Sequence, residues 1–70
     1  MTNDDLLGHV GGRVRVVREP EILEGILIKR DRLVAVAVGP GRAEHPWQLQ
    51  TNEGIHWFCI GEQNCRIELL

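Results

Sequence analysis

Three side chains in the C-terminal third have the types and spacing to do chemistry together. His56, Cys59 and Cys65 form the pattern His-x2-Cys-x5-Cys. Imidazole with thiolate is a zinc-binding combination, and His9 or His45 would supply a fourth ligand. Structural zinc sites present paired Cys-x2-Cys or His-x3-His knuckles, however, and this chain has neither. The same residues fail as a catalytic pair. A nucleophilic cysteine needs its base within hydrogen-bond reach, and His56 and Cys59, three apart on an expected strand, point to opposite faces. The chain has no Ser or Tyr, and Thr2 and Thr51 are its only aliphatic hydroxyls. Gly39-Pro40-Gly41 is followed by neither Lys-Thr nor Lys-Ser, so it is not a phosphate-cradling loop. The inventory predicts no enzyme, no metal and no cofactor. A turn over residues 61–64 would set Cys59 opposite Arg66, which offsets the two thiols and disfavours a disulfide. Two cysteines are also too few for a secreted disulfide scaffold. Buried free thiols in a reducing cytosol are expected.

The other chemistry open to this sequence is recognition of charge. Net charge is −2, so the chain is not a bulk polyanion binder. Yet six of its eight basic residues, Arg13, Arg15, Arg18, Lys29, Arg30 and Arg32, lie between positions 13 and 32. Glu19, Glu21, Glu24 and Asp31 interrupt the run. One basic surface on an acidic body is one outcome, and a solvated outward strand face is the plainer one. Aromatic residues number three. Trp47 follows Pro46 at an expected junction of loop and strand, where its ring could stack a base, anchor a peptide or cap one end of the domain. Trp57 and Phe58 are adjacent on a strand, so one faces in and the other out. Arg42, His45 and Trp47 form the most plausible ligand-facing cluster beside the basic run.

These residues must be positioned by one small domain covering residues 1–70. A chain of this size buries about 60% of its unfolded surface, which leaves it marginally stable unless something else contributes. Asn3 or Asp4 is a suitable N-cap, and Leu6, Leu7 and Val10 would form the apolar face of a helix over about 4–10, ended by Gly11-Gly12. After Gly12 the pattern changes to alternation. Strands are expected at about 13–18, 22–30, 32–38, 47–51, 55–60 and 65–69. Gly25 inside the second of these marks a bulge or sharp bend. Asp31 is the expected turn residue, and the apolar run from Leu33 to Val38 wants cover on both faces. Residues 39–46, with two prolines and two glycines, form the longest expected loop. Gly54 supplies a positive φ for a hairpin turn. One short helix and five or six antiparallel strands predict an all-β fold, a small, strongly bent barrel. No apolar run approaches the ~20 residues of a membrane span, and the acidic N-terminus is unlike a secretory signal. A cytoplasmic protein without a membrane partner is expected.

At this point the chain resembles the Sm-like (LSm) family, whose members fold as a short helix and a five-stranded bent barrel. The residues that carry the likeness to its first motif are Leu6-Leu7, Gly11 or Gly12, Val14-Arg15-Val16, Gly25-Ile26-Leu27 and Asp31. Ile60-Gly61, Asn64-Cys65 and Ile67-Glu68-Leu69 are similar to the second. The resemblance implies a ring-forming homo-oligomer assembled by strand pairing, with RNA or a nucleotide-like ligand as partner. It departs at Arg32-Leu33, where the family usually places a base-reading asparagine, and at Ile60, where an arginine usually precedes the glycine. The same strand pattern also resembles Src-homology-3-type barrels, which would imply a protein-interaction module, and a purely structural ring or adaptor subunit is a further alternative. The expected ligand-binding residues are Arg13, Arg15, Lys29, Arg30, Asp31, Arg32, Arg42, His45, Trp47 and Gly61. The first five basic residues would take phosphate and Trp47 would stack.

Overall fold

A computed structural model of the chain describes residues 1–62 and 64–70. It is mostly β. A short helix, α1 (Asn3–Leu7), precedes β1 (Arg13–Arg18), β2 (Glu21–Arg30), β3 (Val36–Gly39), β4 (Arg42–Glu44), β5 (Trp47–Thr51), β6 (Gly54–Phe58) and β7 (Cys65–Leu69). Among the described residues no helix is long and apolar enough to cross a membrane.

The helix begins one residue earlier than its sequence signal. Thr2 is the N-cap, and its hydroxyl accepts from the Asp5 N–H while the Asp5 carboxylate accepts from the Thr2 N–H. This reciprocal capping box satisfies two otherwise orphaned donors. The helix stops at Leu7, short of Gly11-Gly12. Only Leu6 is buried, whereas Leu7 and Val10 are 59% and 43% exposed. The backbone of Gly11 and Gly12 is instead held against β2, with Gly11 N donating to Leu27 O and Leu27 N to Gly12 O.

Five strands form one antiparallel sheet in the order β6-β5-β2-β1-β7. Alternation explains the core. Val14 and Val16 turn inward from β1 and meet Leu27, Trp47, Leu49, Phe58 and helical Leu6. Arg15 between the two valines turns outward. Strand β2 is shared along its length: residues 21–26 pair with β1, and residues 26–30 pair with β5. Gly25 stands where the ladder passes from one partner to the other. An ideal Cβ there would lie 2.0 Å from Gln50 O, so no larger residue fits. The register shifts between Leu27 and Lys29, leaving Ile28 without an opposite residue. Gly54 takes φ 115° after the two-residue turn that joins β5 to β6, a conformation favourable to glycine.

Three expectations need correction. The strand expected at 32–38 begins only at Val36. Asp31 is the reason: its Oδ1 accepts from Leu33 N and its own N–H donates to Pro46 O, which commits residues 31–33 to a turn and leaves Leu33 97% exposed. The loop expected at 39–46 contains β4, which pairs with β3 as a separate two-stranded hairpin about a Pro40-Gly41 turn. Finally, β6 ends at Phe58 and does not pair with β7. The last strand crosses to the far side and pairs with β1, Arg18 opposite Cys65 and Val14 opposite Leu69. The facing of Cys59 and Arg66 is therefore not formed. With β6 and β7 as its two edges, the sheet is open.

Candidate functional site

The basic residues divide into two sets by what they touch. On the outer face of the sheet, Arg15 of β1 lies between Glu24 of β2 and Glu68 of β7, which stand opposite it in the ladder. Its Nε donates to Glu24 Oε1 at 2.6 Å and its Nη1 to Glu68 Oε1 at 2.9 Å. That bond to Arg15, with a weaker one from Arg66, holds the Glu68 carboxyl below the usual carboxylate range despite some desolvation. Arg13 reaches Glu24 only at 4.0 Å. Cross-strand pairing thus neutralises Arg15: its Nε, Nη1 and Nη2 all face carboxylates, whereas the expected phosphate role needs them free.

The second set is Lys29, Arg30, Arg32 and Arg42. Among the described residues none of these four has a carboxylate within ion-pair distance. Three of them line one open cleft of about 320 Å³ between α1 and the end of β2. Its walls are Asn3, Asp4, Leu7 and Val10 from the helical side and Lys29, Arg30, Arg32 and Trp47 from the sheet side. Leu7 and Val10, expected in the core, instead give it an apolar lip. Arg30 is partly committed, its Nε donating to His45 O at 3.1 Å, so its two terminal nitrogens remain for a ligand. Lys29 and Arg32 are exposed.

Of the other expected site residues, only Trp47 is part of the wall of this cleft. Trp47 borders it but is only 1% exposed, because it packs against Phe58 across the β5–β6 ladder and inside the core cluster. Its Nε1 donates to Asn3 Oδ1 at 2.9 Å, tying α1 to the sheet. At that burial no face of the indole is open to solvent, whereas the expected base stacking needs one. His45 donates through Nδ1 to Val34 O at 2.7 Å, a bond that holds the chain between Asp31 and β3. Asp31 is likewise occupied, with Gln48 Nε2 donating to its Oδ2 at 3.3 Å. The Gly61 N–H donates to Glu44 Oε2 at 3.1 Å. Arg42 is exposed on the β3–β4 hairpin. Of the expected cluster, then, Arg42 is exposed, His45 is half-buried and Trp47 is buried. Sequence reasoning missed Leu7, Val10, Asn3 and Asp4, and the signal available was a Gly8 that lets the helix stop early.

Phe58 is buried and Trp57 is 45% exposed, so the adjacent aromatics divide as alternation requires. The cysteines are both free. Burial, with Glu62 and Glu44 adding to it, pushes the Cys59 thiol from 9.0 up to about 11. Burial and Glu62 also push the Cys65 thiol up. Neither thiol is activated. At pH 8, iodoacetamide should therefore alkylate the folded protein far more slowly than the urea-unfolded chain, and equal rates would contradict this environment. Since the unfolded thiols ionise first, stability should fall as pH rises from about 9 to about 11. Among the described residues no three His, Cys, Asp or Glu side chains converge as a metal site. Comparison with protein-family models, with curated proteins and with solved structures finds no match to this chain.

Proposed function

We propose that the chain is a non-enzymatic binding protein of Sm-like type, a small bent barrel that acts as a homo-oligomer on RNA or a nucleotide-like ligand. The observation that carries this reading is the cleft: three cations without carboxylate partners beside an apolar lip, on a body where Arg15, Arg18 and Arg66 are each paired with a carboxylate. Phosphate oxygens would meet Lys29, Arg32 and the free nitrogens of Arg30, while a base or sugar would rest on Leu7 and Val10. Barrel-like curvature is supported by the glycine bend at Gly25 and by Arg18, which reaches from β1 to the Trp57 carbonyl on β6. The unpaired edges β6 and β7 support self-association by strand addition.

The test is fluorescence anisotropy of a labelled single-stranded RNA over a salt series. Lys29→Glu with Arg32→Glu should weaken binding by about tenfold for each side chain lost. The salt slope should drop by about 1.4, from roughly 0.7 for each of two contacts. Arg30 is left intact because it also supports His45. Wild-type affinity in this double variant, with its fold retained, would sink the reading.

A second reading rests on a different observation. Ile22, Ile26 and Ile55 are exposed on the outer face of the sheet with Trp57, and Trp57, together with Trp47 and residues 39–46, is where a Src-homology-3-type interaction module is expected to make contact. Binding there should be nearly indifferent to salt and to the Lys29 and Arg32 substitutions.

A further inference from the structure

The opening between the two sheet edges is not empty. Arg18, from β1 beside β7, extends across it to β6. Its Nη1 donates to Trp57 O at 3.0 Å and to Glu62 Oε2 at 3.4 Å. Glu62 completes the span, its Oε1 accepting from Cys59 N at 3.0 Å just past the end of β6. Arg18 Nη2 is held in place by Glu21 at 2.7 Å. Burial alone would weaken the charge on Arg18, and the two carboxylates more than offset it. One side-chain pair thus occupies a carbonyl and an N–H at the C-terminal end of β6, where an added strand would otherwise bond.

We propose that the Arg18–Glu62 pair is a gate on self-association, blocking the β6 edge against the β7 edge of a second copy until it is displaced. The proposal rests on the homo-oligomer reading given above and adds what controls it. A second copy is the occupant that fits. The two free edges are each five residues long and lie on opposite sides of one sheet. The β7 edge leaves Cys65 and Ile67 half-buried and Leu69 exposed, although they alternate with Arg66 and Glu68 on the face that meets the core valines. A partner's β6 would cover them. Docking of β7 would supply its own N–H and C=O groups to β6, so Arg18 and Glu62 would be released and lose nothing essential. The capped edge in turn protects the isolated chain against indiscriminate strand addition.

Sedimentation velocity over a concentration series tests this with wild-type protein, Arg18→Met and Glu62→Ala, each checked for fold by far-ultraviolet circular dichroism. Arg18→Met keeps the apolar stem and removes the donors, so it is the milder variant should Glu62→Ala disturb its turn. Both should associate at about tenfold lower concentration than wild type. Because Trp47 is buried, a blue shift of tryptophan emission on association would report Trp57 on β6 becoming covered. Folded variants with the wild-type distribution would overturn the gate. So would larger assemblies without a change at Trp57, which would place the contact elsewhere. Neither Lys29 nor Arg32 belongs to the gate, so loss of RNA binding in the cleft variant with unchanged association behaviour leaves the two results separate.

Discussion

Gly25→Ala is expected to leave the chain largely unfolded at room temperature. The added Cβ would sit 2.0 Å from Gln50 O and 2.7 Å from the Gln50 carbonyl carbon. Those atoms are backbone, fixed by the β2–β5 ladder on one side and the turn to β6 on the other. No side-chain rotation relieves the overlap, so β2 must separate from β5 where it changes partner. Overpacking of this kind costs about 3 kcal/mol or more when nothing can yield. A domain of this size has only about 3–5 kcal/mol in total. Urea titration followed by circular dichroism would measure the change. A loss below about 0.5 kcal/mol, the range of an ordinary surface substitution, would mean that the two strands do not approach as described.

Trp47→Ala should be nearly as damaging, and for a different reason. The indole fills the core between Phe58 and Leu49 and anchors α1 through Asn3. Removing it costs about 3–5 kcal/mol, from lost burial and from the cavity left behind. Trp47→Phe keeps most of the volume and loses the bond to Asn3, so it should remain folded with a smaller loss. That milder variant also separates packing from recognition. If Trp47 acts only by supporting the cleft, Trp47→Phe should hold the RNA affinity of wild type to within about twofold, a difference of well under 1 kcal/mol. A folded Trp47→Phe protein with tenfold weaker binding would show that the indole, through its ring or its bond to Asn3, is needed by the ligand.

The strand alternation, the Gly25 bend and the Gly54 turn were all legible along the chain, because each depends on residues close in sequence. Alternating arginine and valine over 13–16 places valines in the core and arginines in water whatever the partner strand is. The basic run was visible too, but as a single patch.

Tertiary structure alone decided which of those charges remain available. Arg15 and Lys29 look alike in sequence, and only the register that sets Arg15 against Glu24 and Glu68 neutralises the first and not the second. The same holds for Trp47, whose junction with Pro46 is compatible with a half-exposed ring until Phe58 and Leu6 close over it. It holds again for β7, which a short turn would have paired with β6 but which crosses instead to β1 and leaves two edges open. Local pattern fixes which face of a strand is apolar, since the side-chain period is two residues. Partner choice and ion pairing depend on contacts between residues 9 to 53 positions apart, as Arg15 with Glu24 and with Glu68 illustrates, and no local pattern encodes those.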